Sequence, residues 1–233
     1  MNKPLVIKIG GAILEKESAL TALLKVISEL EDQAVVLVHG GGCVVDDMLA
    51  QANFTTTKKD GLRVTPKEQM PLIGGALAGT VNKSIVATAV SLQIPAVGLA
   101  LTDGDMVSCQ LSTQGLGQVG CPKAKSSKLI DMLLKAKFFP VISSIGSLAN
   151  GELVNVNADD AAVVICQLLN AELLLLTDVD GVRDAKGMYL SSLDSAQAQT
   201  LISDGTIAGG MTAKVNAALL AAKQLRRSIA VAS

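Results

Sequence analysis

Short apolar runs alternate with stretches whose apolar residues recur at helical spacing, and this limits the available folds more than any other feature of the chain. The runs are "LVIKI", "AVVLV" (34–38), "AVGLA" (96–100), "FFPVISS" (138–144), "ELLLL" and "SIAVA" (228–232). After the first, Leu20, Leu23, Leu24, Ile27 and Leu30 mark a helix. Further helices are expected from about Val44, across 127–136, from Ala158 to Leu169, near 195–203 behind a capping Asp194, and around Met211, Val215 and Leu219. "AVVLV" is continuous rather than alternating, as in a strand covered on both faces. Pro140 hints at a strand end. Such alternation implies an α/β fold with a mostly parallel sheet and helices on both faces.

Local signals add detail. "TPKE" (65–68) predicts a helix start with Thr65 as cap, Pro66 in the first turn and Glu68 closing a capping box. Asn-Gly in "LANGEL" (148–153) predicts a hairpin, and others are expected near 105–120 and 182–190. No Pro/Gly-rich linker or internal repeat divides the chain. We therefore read residues 1–233 as one domain, in which two lobes would share one sheet.

At 233 residues, 49% apolar and 18% charged, the chain can bury a substantial core. Aromatics are only 2%, and the net charge is −1. Both argue against a nucleic-acid partner, which needs a basic surface or stacking platforms. No polybasic block suggests a membrane surface, and no apolar run approaches the ~18 residues of a membrane span. Cys43, Cys109, Cys121 and Cys166 form no CxxC pair, so they read as reduced thiols of a cytoplasmic protein.

Several motifs fall where a parallel sheet places ligands, beyond the carboxyl ends of its strands. Lys8 interrupts a buried strand, and Gly10 and Gly11 follow at once; this is either an anion site or a tight turn with a surface-seeking lysine. "HGGG" (39–42) requires a close approach to its backbone or positive φ. His39 is the only histidine and reads as structural. Arg63 in "GLRVT" could grip a carboxylate in bidentate fashion, or lie on the surface. In "NVNADD", Asn155 and Asn157 alternate along a short strand, so both should face one way, and Asp159 opens a helix, with Asn157 or Asp159 as its cap. "TDVDGV" (177–182) places Asp178 and Asp180 after a buried strand, either at a ligand or in an Asp-Gly turn. Lys214 lies early in the last helix, where a surface lysine is the plain alternative. "GLGQVG" (115–120) matches the dinucleotide pattern GxGxxG, but it follows a polar stretch and precedes Pro122; it reads as a glycine loop. GxxxxGK[ST] is absent.

The ordered set "KIGGAIL", "VLVHGGG", "GLRVT", "GALAGTVNK", "SSIG", "NVNAD", "LLLLTDVDGV" and "GGMTAKVNAAL" resembles the amino acid kinase family from about residue 4 to 233. Within it the match is nearest the branch that phosphorylates N-acetyl-L-glutamate with ATP in arginine biosynthesis. The resemblance implies a three-layer α/β/α sandwich around a mainly parallel sheet, with added β-hairpins. An N-terminal lobe, about 1–150, would bind the acyl-amino acid, and a C-terminal lobe, about 151–233, would bind ATP. Lys8 and Lys214 would stabilise the transferring phosphoryl group, with Asp159 orienting them. Gly41, Gly42, Arg63 and Asn155 would bind acetylglutamate. Gly10, Gly11, Asp178, Val179, Asp180, Gly181, Val182, Arg183, Thr206, Ile207 and Ala208 would line the nucleotide site. Mg²⁺ would be held mainly by the phosphates, without a dedicated protein metal site.

The resemblance also implies a homodimer, because the N-terminal helix of arginine-inhibited hexameric relatives is absent. Relatives usually continue into a further Gly-Thr-containing strand that this sequence lacks. Two alternatives follow: a sister kinase acting on an acylated aminoadipate in lysine biosynthesis, and a catalytically inactive nucleotide-binding regulator.

Overall fold

The computed structural model describes all residues except 1, 2, 31, 60, 178–180 and 185, and at 12 and 210 the backbone only. β1 (Leu5–Ile9) leads through one helical turn, α1 (Gly11–Leu14), into α2 (Glu17–Ser28). β2 (Val35–His39) and α3 (Gly42–Gln51) precede a small hairpin of β3 (Thr57–Lys59) and β4 (Leu62–Val64). A continuous helical run then contains α4 (Met70–Gly74), a π-helical segment (Gly75–Val81) and α5 (Asn82–Ser91). Next come β5 (Ala96–Ala100), the hairpin β6 (Val107–Leu111) with β7 (Gly120–Ala124), and α6 (Lys128–Lys135). β8 (Phe139–Ser143) leads to the hairpin β9 (Ile145–Ser147) with β10 (Leu153–Asn155), then α7 (Ala158–Leu169). β11 (Glu172–Leu176), α8 (Ser195–Ser203), α9 (Gly210–Leu225) and β12 (Ala230–Ala232) complete the described elements.

Among the described residues, six strands form one parallel sheet in the order β12-β11-β1-β2-β8-β5. Side chains alternate between its faces, as the pleat requires. Val6, Val36, Val38, Ile142, Leu173 and Leu175 pack on the side of α6, α7 and α9. Ile7, Ile9, Val35, Leu37, Val141 and Leu176 pack on the side of α2 and α5. Each fully buried Val, Leu or Ile here contributes about 1.5–3 kcal/mol of transfer free energy. The result is the expected three-layer sandwich with attached hairpins. Pro140 is accommodated because β8 begins pairing with β2 only at Val141, after the missing N–H.

The connections run one way from β1 to β2 and the other way to β11, so the order reverses at β1. A crevice therefore opens beyond the carboxyl ends of β1 and β11, where open α/β sheets hold ligands.

Four expectations need correction. The helical run after "TPKE" begins at Lys67 without a side-chain cap, because the Thr65 hydroxyl instead meets Asn155. Among the described residues of 182–190 the expected hairpin is shortened to an isolated antiparallel bridge, Arg183 with Tyr189, flanked by the Leu190 N–H donating to the Val182 carbonyl at 2.8 Å and the Asp184 N–H to the Met188 carbonyl at 2.9 Å. Asn157 stands beyond β10 as the cap of α7, so it does not share a strand face with Asn155. Finally, the run Lys67–Ser91 does reach the length and hydropathy of a membrane span. In this fold that apolar length packs inward: Met70, Ile73, Ala76, Leu77, Val81, Ile85 and Ala89 are all buried.

Candidate phosphoryl-transfer site

Lys8 shares a sheet face with Val6, which is covered by α7, but lies nearer the strand's carboxyl end. There α7 begins, and Lys8 Nζ meets Asp159 Oδ1 at 2.9 Å. The lysine side chain is 16% exposed and the aspartate 29%, so the pair stands at the mouth of the core, where solvent screens it only in part. The cap of α7 is Asn157, whose Oδ1 accepts from the backbone N–H groups of Asp159 and Asp160 at 2.8 and 3.4 Å. That frees the Asp159 carboxylate for Lys8. Burial raises the neighbouring Asp160 carboxyl, assisted by the charge of Asp159.

The cleft in front of this pair has a volume of about 250 Å³. Gly10 and Gly11 line it, and so does Lys214 from α9. Leu175, Leu176 and Thr177 supply the end of β11, while Ala217 and Ala218 keep the α9 wall low. A Cβ at Gly10 would stand 3.7 Å from Lys8 Nζ, in the space directly over the amine. Two lysines and a pair of glycines lining one cleft make a setting suited to an anion.

The "HGGG" loop adjoins this cleft. A Cβ at Gly40 would lie 3.3 Å from Ala158 Cβ at the head of α7. Gly41 has φ +152°, and a Cβ there would fall 2.8 Å from Val81 Cγ2. Two of the three glycines thus answer to packing, a reading the sequence left open beside ligand approach. His39 is fully buried. Its Nδ1 donates to the Gly40 carbonyl at 2.7 Å, and its Nε2 accepts from Asn82 Nδ2 at 3.0 Å, which fixes the neutral tautomer. Burial drives its pKa down to about 4, against the hydrogen bond to Gly40.

Arg63 is drawn to the same loop. Its Nη2 donates to the Gly42 carbonyl at 3.2 Å, and its Nη1 donates to Asp46 Oδ1 at 2.5 Å and Thr56 Oγ1 at 3.3 Å. Burial pushes the Asp46 carboxyl up, but hydrogen bonds from Arg63 and Thr56 and the Arg63 and Lys58 charges outweigh it, leaving the pKa lowered. Asn155 Nδ2 donates to Thr65 Oγ1 at 3.2 Å. Arg63 thus meets the glycine loop at Gly42, that loop passes close to the head of α7 at Ala158, next to Asp159, and Thr65 joins Asn155.

Asp178, Val179 and Asp180 lie outside the described residues. Arg183 stacks over the Tyr189 ring with its guanidinium carbon 4.4 Å from the centroid, and Gly181 has φ +146° with its Cβ position 3.3 Å from that ring. The N–H of Thr206 donates to Asp204 Oδ1 at 2.9 Å, and Ala208 is exposed. Ile207 is 2% exposed and packs with Ala198 and Val215 beside Val182, so its side chain serves the α8–α9 cluster. Among the described residues no group of three His, Cys, Asp or Glu side chains is arranged to hold a metal ion.

Sequence reasoning missed Asp46, Thr56, Asn82 and Thr177. Asn82 did carry a signal: an asparagine is poorly placed inside a helix unless its side chain has partners. Nothing in the local sequence links Asp46 to Arg63.

Comparison with known proteins agrees with this geometry. The amino acid kinase family matches residues 3–233. A protein from Colwellia psychrerythraea named acetylglutamate kinase is 78% identical over 99% of this chain and 89% of its own length. One of the same name from Aeromonas hydrophila is 49% identical over 100% of this chain and 91% of its own. The crystal structure of smu.665 from Streptococcus mutans superimposes with a TM-score of 0.82 at 27% identity, covering 98% of this chain and 94% of that one. By motif order, sheet topology and near full-length similarity, this chain belongs to the amino acid kinase family.

Proposed function

We propose that the chain transfers the γ-phosphoryl group of ATP to the side-chain carboxylate of N-acetyl-L-glutamate, forming N-acetyl-L-glutamyl 5-phosphate for arginine biosynthesis. The observation that carries this is that the Lys8–Asp159 pair, Lys214, Gly10 and Gly11 line one cleft at the β1/β11 switch point. High identity to two relatives named for that activity supports the acceptor.

A carboxylate with a reference pKa near 4 is already ionised at neutral pH, so the reaction needs no general base. This fits a site whose nearby histidine is neutral and fully occupied. The acceptor oxygen forms the new P–O bond as the bond to the β–γ bridging oxygen breaks, and ADP leaves with the electron pair. The barrier is chiefly repulsion between two anions and the charge on the transferring group. On this reading Lys8 and Lys214 offset that charge from two sides, Asp159 fixes the Lys8 amine, and Gly10 and Gly11 admit the phosphate to the backbone. Gly41, Gly42, Arg63 and Asn155 hold the acyl-amino acid, with Arg63 on a carboxylate. Residues 178–183 and 206–208 serve the nucleotide.

Mg²⁺ would accompany the nucleotide phosphates and neutralise part of their charge. The cleft suits an ion shared with phosphate, since among the described residues its one acidic side chain, Asp159, is engaged by Lys8. The two-lobe division, a homodimer and a cytoplasmic setting complete the proposal. The resemblance supports the first two; four cysteines without a disulfide support the third.

The test is ATP turnover with N-acetylglutamate, glutamate and N-acetyl-aminoadipate in parallel, trapping acyl phosphate with hydroxylamine. Hydroxamate chiefly from N-acetylglutamate is expected. Preference for the aminoadipate compound would make this the sister kinase, and no hydroxamate from any of them would make it a regulator.

A further inference from the structure

The glycine loop that resembles a dinucleotide motif is built into the fold as a clamp. The Thr65 N–H donates to the Leu116 carbonyl at 2.8 Å, and the Gln118 N–H donates to the Thr65 carbonyl at 2.7 Å. On the other edge of the same segment, the Asn155 N–H donates to the Gln118 carbonyl at 2.9 Å. Bridges pair Thr65 with Gly117 and Val119 with Asn155, both parallel. Residues 116–119 thus lie as a bent segment, bridged on both edges, between the end of β4, two residues beyond Arg63, and the end of β10 at Asn155. The Thr65 hydroxyl closes the clamp by accepting from the Asn155 side chain.

The clamp is buried where it grips. Thr65 is fully buried, Leu116 is 1% exposed and Val119 8%. Gly117 has φ +74°, and a Cβ there would fall 2.3 Å from the Thr65 carbonyl oxygen, a contact that no rotamer relieves because both atoms are backbone-fixed. Gly115, two residues earlier, has φ +71° but nothing within 4 Å of its Cβ position. The two glycines have the same backbone requirement, and only one is at the clamp.

We propose that residues 116–119 are a positioning element that sets the spacing of Arg63 and Asn155, and thereby the length of acyl-amino acid the site accepts. Arg63 and Asn155 are 92 positions apart in sequence (155 − 63) and sit on separate hairpins. Neither hairpin belongs to the main sheet, so their relative placement depends on what joins them. This rests on the reading of Arg63 and Asn155 as acyl-amino-acid contacts. It leaves the phosphoryl cleft out, since none of residues 116–119 lines it.

The experiment compares Gly117→Ala with Gly115→Ala by steady-state kinetics, using hydroxamate formation, and by calorimetric binding of N-acetylglutamate. Gly117→Ala is expected to raise KM and Kd for N-acetylglutamate by about tenfold or more, with KM for ATP within about twofold. Its preference for N-acetylglutamate over the longer N-acetyl-aminoadipate should fall by about fivefold, since pocket fit to one methylene is worth roughly this much or more. Gly115→Ala should stay within about twofold throughout. If both KM values of Gly117→Ala rise together, or neither moves, the proposal is overturned. Should Gly117→Ala not fold, Thr65→Val, which removes the hydroxyl and keeps the shape, decides by the same split at about threefold. Absence of activity in the unaltered chain would instead count against the proposed function, and the binding measurement still reads the clamp.

Discussion

The two halves that we propose for the site are built in different ways. The phosphoryl half stands on the main sheet: Lys8 extends a core strand, Asp159 opens a core helix, and Lys214 rides a helix packed on that same helix. The acceptor half combines Gly41 and Gly42, just beyond β2, with Arg63 and Asn155 on hairpins outside the sheet, held by side-chain and loop hydrogen bonds from Asp46, Thr56 and residues 116–118. On this proposal, chemistry common to many acceptors sits on the part hardest to deform, and selection of one acceptor sits on parts that a few contacts can reposition. Substitutions in the first half should therefore change turnover, and those in the second should change acceptor affinity.

The largest separation is expected from Lys214→Ala, with kcat lower by about 10²-fold and KM for the acceptor little changed, since it removes charge stabilisation made in the transition state. Steady-state hydroxamate formation reads it.

His39 lies under the junction between the halves, and its effect is on stability. Between its unfolded pKa of 6.5 and its folded value of about 4, the unfolded chain binds a proton that the folded one excludes. Stability is thus intact above the higher value and falls as pH drops toward the lower. Urea denaturation should show the parent losing about 2 kcal/mol from this site between pH 7 and pH 5. His39→Asn should lack that part of the slope.

In the acceptor half, Arg63→Lys should raise KM for N-acetylglutamate about tenfold and leave kcat and the KM for ATP nearly unchanged, because an ammonium cannot reproduce the planar fork. The smallest effect is expected from Asp46→Asn, with the acceptor KM up about threefold, since the guanidinium loses its counter-charge but keeps Thr56 and the Gly42 carbonyl. Combined with Arg63→Lys, it should add less than its separate effect, because both act through one group. An altered KM for ATP in either variant would break the division between the halves.

The same division governs what could be read from sequence. Strand and helix periodicity revealed the sheet and its covering helices, but it left Lys8 and Lys214 open to a surface reading and Asp159 to a helix cap; their proposed roles came from the family resemblance. The hairpin β3–β4 was not legible, since "TKK" and "LRV" are too short and polar to show a strand pattern. Thr65 was mistaken for a helix cap because its real partners, Leu116, Gln118 and Asn155, are far away in the chain. The "GLGQVG" segment reads in sequence as a glycine loop, and the need for one of its glycines is visible only where Gly117 meets the Thr65 carbonyl. Gly41 likewise looked like a ligand contact, and the structure adds Val81 and Leu77 packed against it.

The most direct test of the central claim is the rate of hydroxamate formation by Lys8→Ala at saturating ATP and N-acetylglutamate, measured beside the unaltered chain. We predict a kcat lower by about 10²-fold or more, with both KM values within about threefold. A folded variant turning over at close to the parent rate would contradict the assignment of phosphoryl transfer to this cleft.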